Sequence, residues 1–184
     1  HQILTGIAAV MGLAIAYKVK SIPLAFLLLF IPGLLWFYSS VYKRQFLIGN
    51  IIIAALCALV PFTMVYIENN FLYMVEGEAV VKAAILKAAL GVTGIFVLFA
   101  FLTTLIREIV KDVIDEEGDR ELECSTLPIV LGLKWTKVII VSLTLLTILF
   151  IALFYTTFVA RFNDSLSFYY LLFLLGVPLS MVIA

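Results

Sequence analysis

The sequence predicts an all-α fold, a polytopic bundle of transmembrane helices. Hydrophobic residues make up 65% of the 184 residues and the mean hydropathy is +1.21, whereas soluble domains are roughly 45–50% apolar. The apolar residues come in runs of about 17 to 24, and a bilayer span needs roughly 20. These runs lack the period-two alternation of barrel strands. Because only helices and closed barrels satisfy their backbone in lipid, a helical bundle follows.

Six apolar runs, separated by polar breaks, predict six spans in chain order. The connection around Lys18 to Ser21 is short and predicts a helical hairpin between the first two spans. The connection from Glu68 to Val81 is longer, and its aromatic and acidic residues predict an interfacial loop or a short surface helix. The spans lie at about 3–18, 22–38, 46–67, 84–106, 136–159 and 167–184.

The distribution of charge indicates sidedness rather than a charged partner. Twelve basic residues balance twelve acidic ones, so no nucleic-acid partner is indicated. Successive connections alternate sides, and the face that holds the connections Ser39 to Gln45 and Arg107 to Trp135 has seven basic residues against five. This excess predicts that the face is cytoplasmic. The seven are Lys43, Arg44, Arg107, Lys111, Arg120, Lys134 and Lys137, and the five are Lys18, Lys20, Lys82, Lys87 and Arg161.

The counts of histidine and cysteine limit the chemistry. His1 is the single histidine in this sequence, so a histidine-based metal site or catalytic triad within it is excluded. Cys57 falls within a predicted span and Cys124 in a polar loop, so we expect two free thiols. Because His1 leads almost directly into a span and Ala184 ends inside one, we expect further helices beyond both ends.

Most of the charge lies in one segment that follows the fourth span. No helix breaker precedes Gly118, so we expect the helix to continue to about Glu117 and to stop at Gly118. Spacings of three and four residues place Asp112 and Asp115 on one face, and Asp119 continues or caps that face.

Three carboxylates this close repel one another unless they share a cation. Mg²⁺ prefers oxygen ligands and commonly keeps positions for substrate phosphates. Basic side chains at the same membrane face could neutralise further phosphate charge, namely Arg107, Lys111, Arg120, Lys43 and Arg44. The pattern favours a Mg²⁺ and diphosphate site, and the alternative is an acidic loop that is merely solvated.

Two segments carry a family resemblance. REIVKDVIDEEGDRELECSTLPIVLG, from Arg107 to Gly132, resembles the second aspartate-rich loop of the UbiA superfamily of intramembrane prenyltransferases. The branch has the pattern RExxKDxxDxxGDxxxGxxTLPxxxG and includes geranylgeranylglycerol-phosphate geranylgeranyltransferase-like members. YSSVYKRQFLIGN, from Tyr38 to Asn50, is similar to the family's tyrosine and Lys-Arg loop. Glu123 departs from the pattern, which has Gly there, and the loop path is therefore expected to differ.

The resemblance implies a UbiA-like bundle of about nine helices around a cavity, with two aspartate-rich loops that hold Mg²⁺ and a prenyl diphosphate. The six spans would be the third to the eighth helix of one domain, and the first aspartate-rich loop would precede His1. The implied catalytic and metal-binding residues are Asp112, Asp115 and Asp119. The implied substrate-binding residues are Lys43, Arg44, Tyr38, Asn50, Arg107 and Lys111.

The predicted function is Mg²⁺-dependent transfer of a prenyl group to an aromatic or glycerol-phosphate-type lipid acceptor. The implied partners are a prenyl diphosphate, a lipophilic acceptor and membrane lipids, while association with other membrane proteins stays open. One alternative is a non-catalytic membrane subunit or binding protein with a degenerate fold of this type. Another is a cation transporter, which predicts ionisable residues within spans, such as Lys87.

Overall fold

A computed structural model of the chain describes residues 2–40, 42, 45–76, 84–159, 169 and 173, and no strand occurs in these ranges. The predicted all-α class is confirmed. The helices are α1 (Gln2–Val19), α2 (Ile22–Ser40), α3 (Ile48–Glu76), α4 (Ala84–Ile114), α5 (Glu116–Glu121) and α6 (Leu127–Phe154), and a π-helical turn follows at Tyr155–Val159.

Three helical stretches are long and apolar enough to cross a membrane. They are Ile48–Leu72, Ala89–Ile114 and Leu127–Thr157, of 25, 26 and 31 residues. Two further apolar helices, Gly6–Lys18 and Ile22–Tyr38, lie in the first two predicted spans but are shorter, at 10–17 residues. The sixth predicted span lies outside the described residues except at positions 169 and 173.

The first two helices form the predicted hairpin. The turn between them places Lys20 at a φ of 52°. A Cβ added to Gly12 of α1 would lie 3.0 Å from the Cβ of Leu28 in α2. Glycine therefore lets the two helices approach closely, and such close packing is what associates helices in lipid, where burial of apolar surface gives no driving force.

The ends of α3 and α6 differ from prediction. The expected loop at Glu68 is instead helical, because α3 continues to Glu76. The sequence between these residues contains neither Gly nor Pro, so nothing local ends the helix. Helix α6 begins at Leu127 rather than near 136, since Pro128 in its first turn is compatible with a helix start.

The core joins α3, α4 and α6. Ala54, Leu105, Ile109, Leu127 and Ile140 form one buried cluster. Ile109 is fully buried and lies within one helical turn of the first motif aspartate. The packed core therefore ends directly beside the acidic segment and gives it a rigid base.

Candidate active site

The two motif segments meet through a hydrogen bond between α3 and α4. Asn50, in the first turn of α3, donates from Nδ2 to Oδ2 of Asp112 at 2.7 Å, across 62 positions of sequence. Ala54, one turn after Asn50, packs in the core with Ile109 of α4. A hydrogen bond to a charged group contributes roughly 1.5–3 kcal/mol. This bond therefore fixes the orientation of Asp112 and engages only one of its carboxylate oxygens.

Tyr38 approaches the same carboxylates from the end of α2. It is half-buried and lies within electrostatic range of Glu108 and Asp112. The start of α3 packs closely against it, since a Cβ at Gly49 would lie 3.3 Å from Cε2 of Tyr38 and 2.8 Å from the carbonyl oxygen of Tyr42. Only glycine fits there without displacement, which explains the Gly-Asn pair that opens α3.

Glu108 is a buried carboxylate that the sequence analysis did not include in the site. Only 6% of the residue is exposed. Its Oε1 lies 2.7 Å from Nη1 of Arg107, and its Oε2 lies 3.8 Å from Nζ of Lys111. The sequence does indicate that Glu108 belongs to the site, because Glu108 precedes Asp112 by one helical turn and shares its face. Two of the four cations expected to bind diphosphate, Arg107 and Lys111, are thus already paired with a protein carboxylate.

The three predicted metal ligands lie in different environments. Asp112 is half-buried, and Asp119 lies within electrostatic range of it. Asp115 is exposed at the junction of α4 and α5, with φ −87° and ψ 6°. Helical hydrogen bonds cross this junction, from Asp115 N to Lys111 O and from Asp119 N to Asp115 O, each 2.9 Å. Asp119 is therefore within electrostatic range of Asp112, and Asp115 is exposed at the junction of α4 and α5 between them.

Gly118 does not end the helix, which corrects the prediction. It lies within α5, and Arg120 in the same helix pairs with Glu116 at 2.7 Å. The chain turns at Glu123, whose φ is 55°. The N–H of Glu123 donates to Arg120 O at 3.3 Å and that of Cys124 to Asp119 O at 2.9 Å, which is the bond pair of a Schellman C-cap. Gly118 lies too early for this cap, and Glu123 holds the left-handed position that favours glycine.

The Thr-Leu-Pro and Gly residues of the motif begin α6. Leu127 and Pro128 are fully buried, and the Thr126 hydroxyl is buried with no hydrogen-bond partner among the described residues. Gly132 has φ 79° and ψ 157° inside α6, a conformation essentially restricted to glycine. Past this break the Thr136 hydroxyl donates to Gly132 O at 3.0 Å. These residues dock and bend α6 beside the acidic segment.

Lys43 and Arg44 lie outside the described residues, as does the side chain of Lys87. The residues that flank the first pair are described, and Tyr38 and Asn50 both lie at Asp112. The connection from α2 to α3 is therefore at the same end of the bundle as the acidic segment, as the alternation of spans predicts.

The carboxylate oxygens of this segment are suited to a hard cation that also binds a substrate. Asp112 and Asp119 supply carboxylate oxygens, which Mg²⁺ prefers. In the part of the chain that the structure describes, no group of three or more His, Cys, Asp or Glu side chains could hold a metal ion. Mg²⁺ is usually bound through one or two carboxylates together with substrate phosphates. The residues present therefore fit a cation that also binds a diphosphate, rather than a closed protein cage.

Comparison with known proteins agrees with the motif resemblance. The model of the UbiA prenyltransferase family matches residues 2–184. Digeranylgeranylglyceryl phosphate synthase of Methanothermobacter thermautotrophicus is 37% identical over 149 residues, which cover 73% of this chain and 46% of that protein. The synthase of the same name from Thermococcus sibiricus is 32% identical over 116 residues, which cover 63% of this chain and 35% of that protein.

Coverage of these relatives is partial. A third synthase of that name, from Methanosphaera stadtmanae, is 35% identical over 64% of this chain and 36% of its own length. The chain thus spans between 35% and 46% of the three relatives it matches. No solved structure matches it significantly.

Proposed function

This chain belongs to the UbiA prenyltransferase family, and from that membership we propose that the protein is a prenyltransferase of the membrane. The proposed reaction moves a prenyl group from a prenyl diphosphate to a glycerol-phosphate-type lipid acceptor. The names of the similar synthases support this acceptor class. The observation that carries the proposal is the hydrogen bond from Asn50 to Asp112, because it joins the two segments that resemble the family's site.

Asp112, Asp115 and Asp119 are the residues proposed to hold Mg²⁺. When bound, the ion supplies positive charge that stabilises the diphosphate leaving group. Asp112 supports this role because Asn50 fixes it while one carboxylate oxygen stays available. Asp119 supports it because it lies within electrostatic range of Asp112, and a cation between two carboxylates would offset their repulsion. Asp115 is exposed and so accessible to a ligand from the aqueous side.

The basic residues of the site are proposed to bind the diphosphate. In the reaction the bond between prenyl C1 and the diphosphate oxygen breaks, and the diphosphate keeps the bonding electrons. C1 bonds to the acceptor oxygen, which releases its proton. Negative charge grows on the leaving group, so cations beside it stabilise the transition state more than the ground state. Arg107, Lys111, Lys43 and Arg44 are proposed for this contact.

Glu108 is proposed to orient two of these cations before substrate arrives. It is almost fully buried and pairs with Arg107 and Lys111, whose own side chains are 73% and 47% exposed. Their exposed guanidinium and ammonium groups remain able to donate further hydrogen bonds. A diphosphate can therefore bind these cations without first removing them from Glu108.

Prenyl transfer by the full-length protein tests the proposal. Labelled geranylgeranyl diphosphate is offered in liposomes with a prenylated glycerol phosphate, an aromatic acid or a quinone precursor, while Mg²⁺ is titrated from zero. We expect product only with Mg²⁺ and most with the glycerol phosphate lipid. Binding of the diphosphate without transfer to any acceptor would instead favour a non-catalytic binding protein.

A further inference from the structure

Two adjoining cavities lie at the opposite end of the bundle from Asp112. Each has a volume of about 530 Å³, and they share Lys20, Ser21 and Ile22 at the turn between α1 and α2. The first also contacts Tyr66 and Asn70 of α3. Helix α3 rises about 1.5 Å per residue, so Asn70 lies roughly 30 Å along α3 from Asn50. That distance is about the thickness of the hydrocarbon core, which places the cavities at the other membrane boundary.

The first cavity has a mixed polar and apolar lining, and Lys20 gives it a positive charge. Lys20 lines it opposite Tyr66 and Asn70, which share one face of α3. The Asn70 amide uses one N–H on the Tyr66 carbonyl oxygen, at 2.7 Å, so its second N–H is available to a ligand. An ammonium, a phenol and an amide N–H are all donors, and together they are suited to an anion.

No carboxylate partner of the lysines beside the cavities occurs among the described residues. Within the described ranges neither Lys18 nor Lys20 forms an ion pair, whereas Arg107, Lys111 and Arg120 of the acidic segment all do. Lys20 moreover holds a φ of 52°, a left-handed conformation that costs a non-glycine residue roughly 1–2 kcal/mol. Lys20 at both cavities and Lys18 at the second therefore present positive charge that would stabilise a bound anion.

The second cavity adds an apolar compartment. Besides Lys18 and the shared turn, it is lined by Leu13, Ala16, Tyr17 and Ala25 of the α1 and α2 hairpin. A positively charged cavity continuous with an apolar one suits an amphiphile, with its anionic group at the lysines and its chain along the hairpin. A phosphate group beside an ammonium group forms a charge-assisted hydrogen bond, which is stronger than one between neutral groups.

We propose that these two cavities form a binding site for an anionic phospholipid, distinct from the active site. The phosphate group contacts Lys18, Lys20 and the polar side chains of α3, and the hydrocarbon chain lies against the α1 and α2 hairpin. The inference is independent of the proposed prenyl transfer, because the two sites lie at opposite membrane boundaries.

Native mass spectrometry of the full-length protein in detergent tests this site. Phosphatidylglycerol is titrated against the wild type, against Lys18→Gln/Lys20→Gly, and against a matched control, Lys134→Gln/Lys137→Gln. Glycine is chosen at position 20 because it removes the ammonium but accommodates the positive φ. We expect the first variant to need about tenfold more lipid for half-occupancy. We expect the control, whose lysines are exposed on α6, to bind like the wild type.

Three further measurements complete the experiment. Thermal unfolding of each variant separates weak binding from misfolding, and Lys20→Arg should bind lipid like the wild type because it restores the cation. Inorganic phosphate at millimolar concentration should not displace the lipid, since it lacks the chain. Equal lipid binding by wild type and Lys18→Gln/Lys20→Gly, or full displacement by inorganic phosphate, would overturn the proposal.

Discussion

Single residues at the end of α4 combine charge with burial. Glu108 is 6% exposed and Asp112 is half-buried, although both lie at the end of an apolar helix. Burial of a charge is unfavourable unless it is paired. The paired cations of Glu108 and the Asn50 amide at Asp112 meet this requirement. The second carboxylate oxygen of Asp112 is available to a ligand.

Removing the charge of one aspartate should slow the reaction without unfolding the bundle. Asp112→Asn keeps the size of the side chain and its contact with Asn50. Because charge on the leaving group grows in the transition state, we expect turnover to fall by about 10²–10³-fold and diphosphate binding to change less. Steady-state kcat and KM measure this. Asp119→Asn should behave alike, and Glu117→Gln, exposed on α5, should keep wild-type values; an equal loss in Glu117→Gln would contradict the proposed site.

Asn50 should act on the metal through Asp112. Asn50→Leu removes the 2.7 Å bond, because it replaces the amide with an apolar side chain of similar size. Loss of such a supporting hydrogen bond typically costs 10–100-fold in metal affinity, so we expect the Mg²⁺ concentration for half-maximal activity to rise about tenfold or more. Thr144→Val is the control, since it removes a side-chain hydrogen bond of 2.8 Å within α6, outside both proposed sites. If Asn50→Leu instead raises only the KM for diphosphate, Asn50 contacts the substrate directly.

At the scale of helices and turns, two glycines of the motif have opposite roles. Gly118 is helical, and nothing lies within 4 Å of the position its Cβ would take. Gly132 has a φ of 79°, which L side chains rarely adopt. The first glycine therefore tolerates a side chain and the second does not.

Alanine at these positions distinguishes the two roles. Gly132→Ala should lose about 1–3 kcal/mol of stability because of its backbone conformation. Gly118→Ala should gain roughly 0.5–1 kcal/mol, since alanine favours a helix interior. Thermal unfolding in detergent measures both, with a shift of about 2–4 °C per kcal/mol. Destabilisation by Gly118→Ala alone would mean that Gly118 ends the helix after all.

The sequence was informative about helices and less so about their ends. Hydropathy located the apolar helices, because an apolar run of span length in lipid forms a helix unless it belongs to a closed barrel. The stop could not be assigned to Glu123, since a glycine at 118 is the usual C-cap residue and glutamate is not. Helical spacing places Glu108 on the same face as Asp112, but it does not show that Glu108 is buried there. The contact between Asn50 and Asp112 required the packing of α3 on α4, whereas the alternation of spans and the family resemblance placed these segments only at the same membrane face.

At the scale of the whole molecule, large apolar side chains face outward. Phe26, Met64 and Leu145 are 72%, 69% and 58% exposed. In water such a surface would aggregate, because soluble proteins seldom expose large apolar patches. In a bilayer the same surface contacts hydrocarbon. This chain of a UbiA family member is therefore suited to a membrane on most of its described surface.

The acidic end of the bundle should face the cytoplasm. Glu117→Cys, at that end, should react with a membrane-impermeant maleimide only in inside-out vesicles, because seven of the twelve basic residues are expected there. Tyr17→Cys, 87% exposed beside the opposite turn, should react only in right-side-out vesicles. Wild-type protein gives the background from Cys57 and Cys124. Labelling of both variants from one side would refute the predicted alternation of connections.

The position of the Asn50 to Asp112 bond has a consequence for folding. Helices α3 and α4 are antiparallel neighbours, and this bond lies at their open end, farthest from the connection between Glu76 and Ala84. The buried residues Ala54, Leu105 and Ile109 pack α3 against α4 next to this bond, so opening of the site requires separation of that core. Ligands that require the closed end would shift that equilibrium, by about 2.7 kcal/mol at a hundredfold excess over their Kd. Substrate and cation would then act as folding partners, and saturation with both should increase the resistance of this end of the protein to proteolysis.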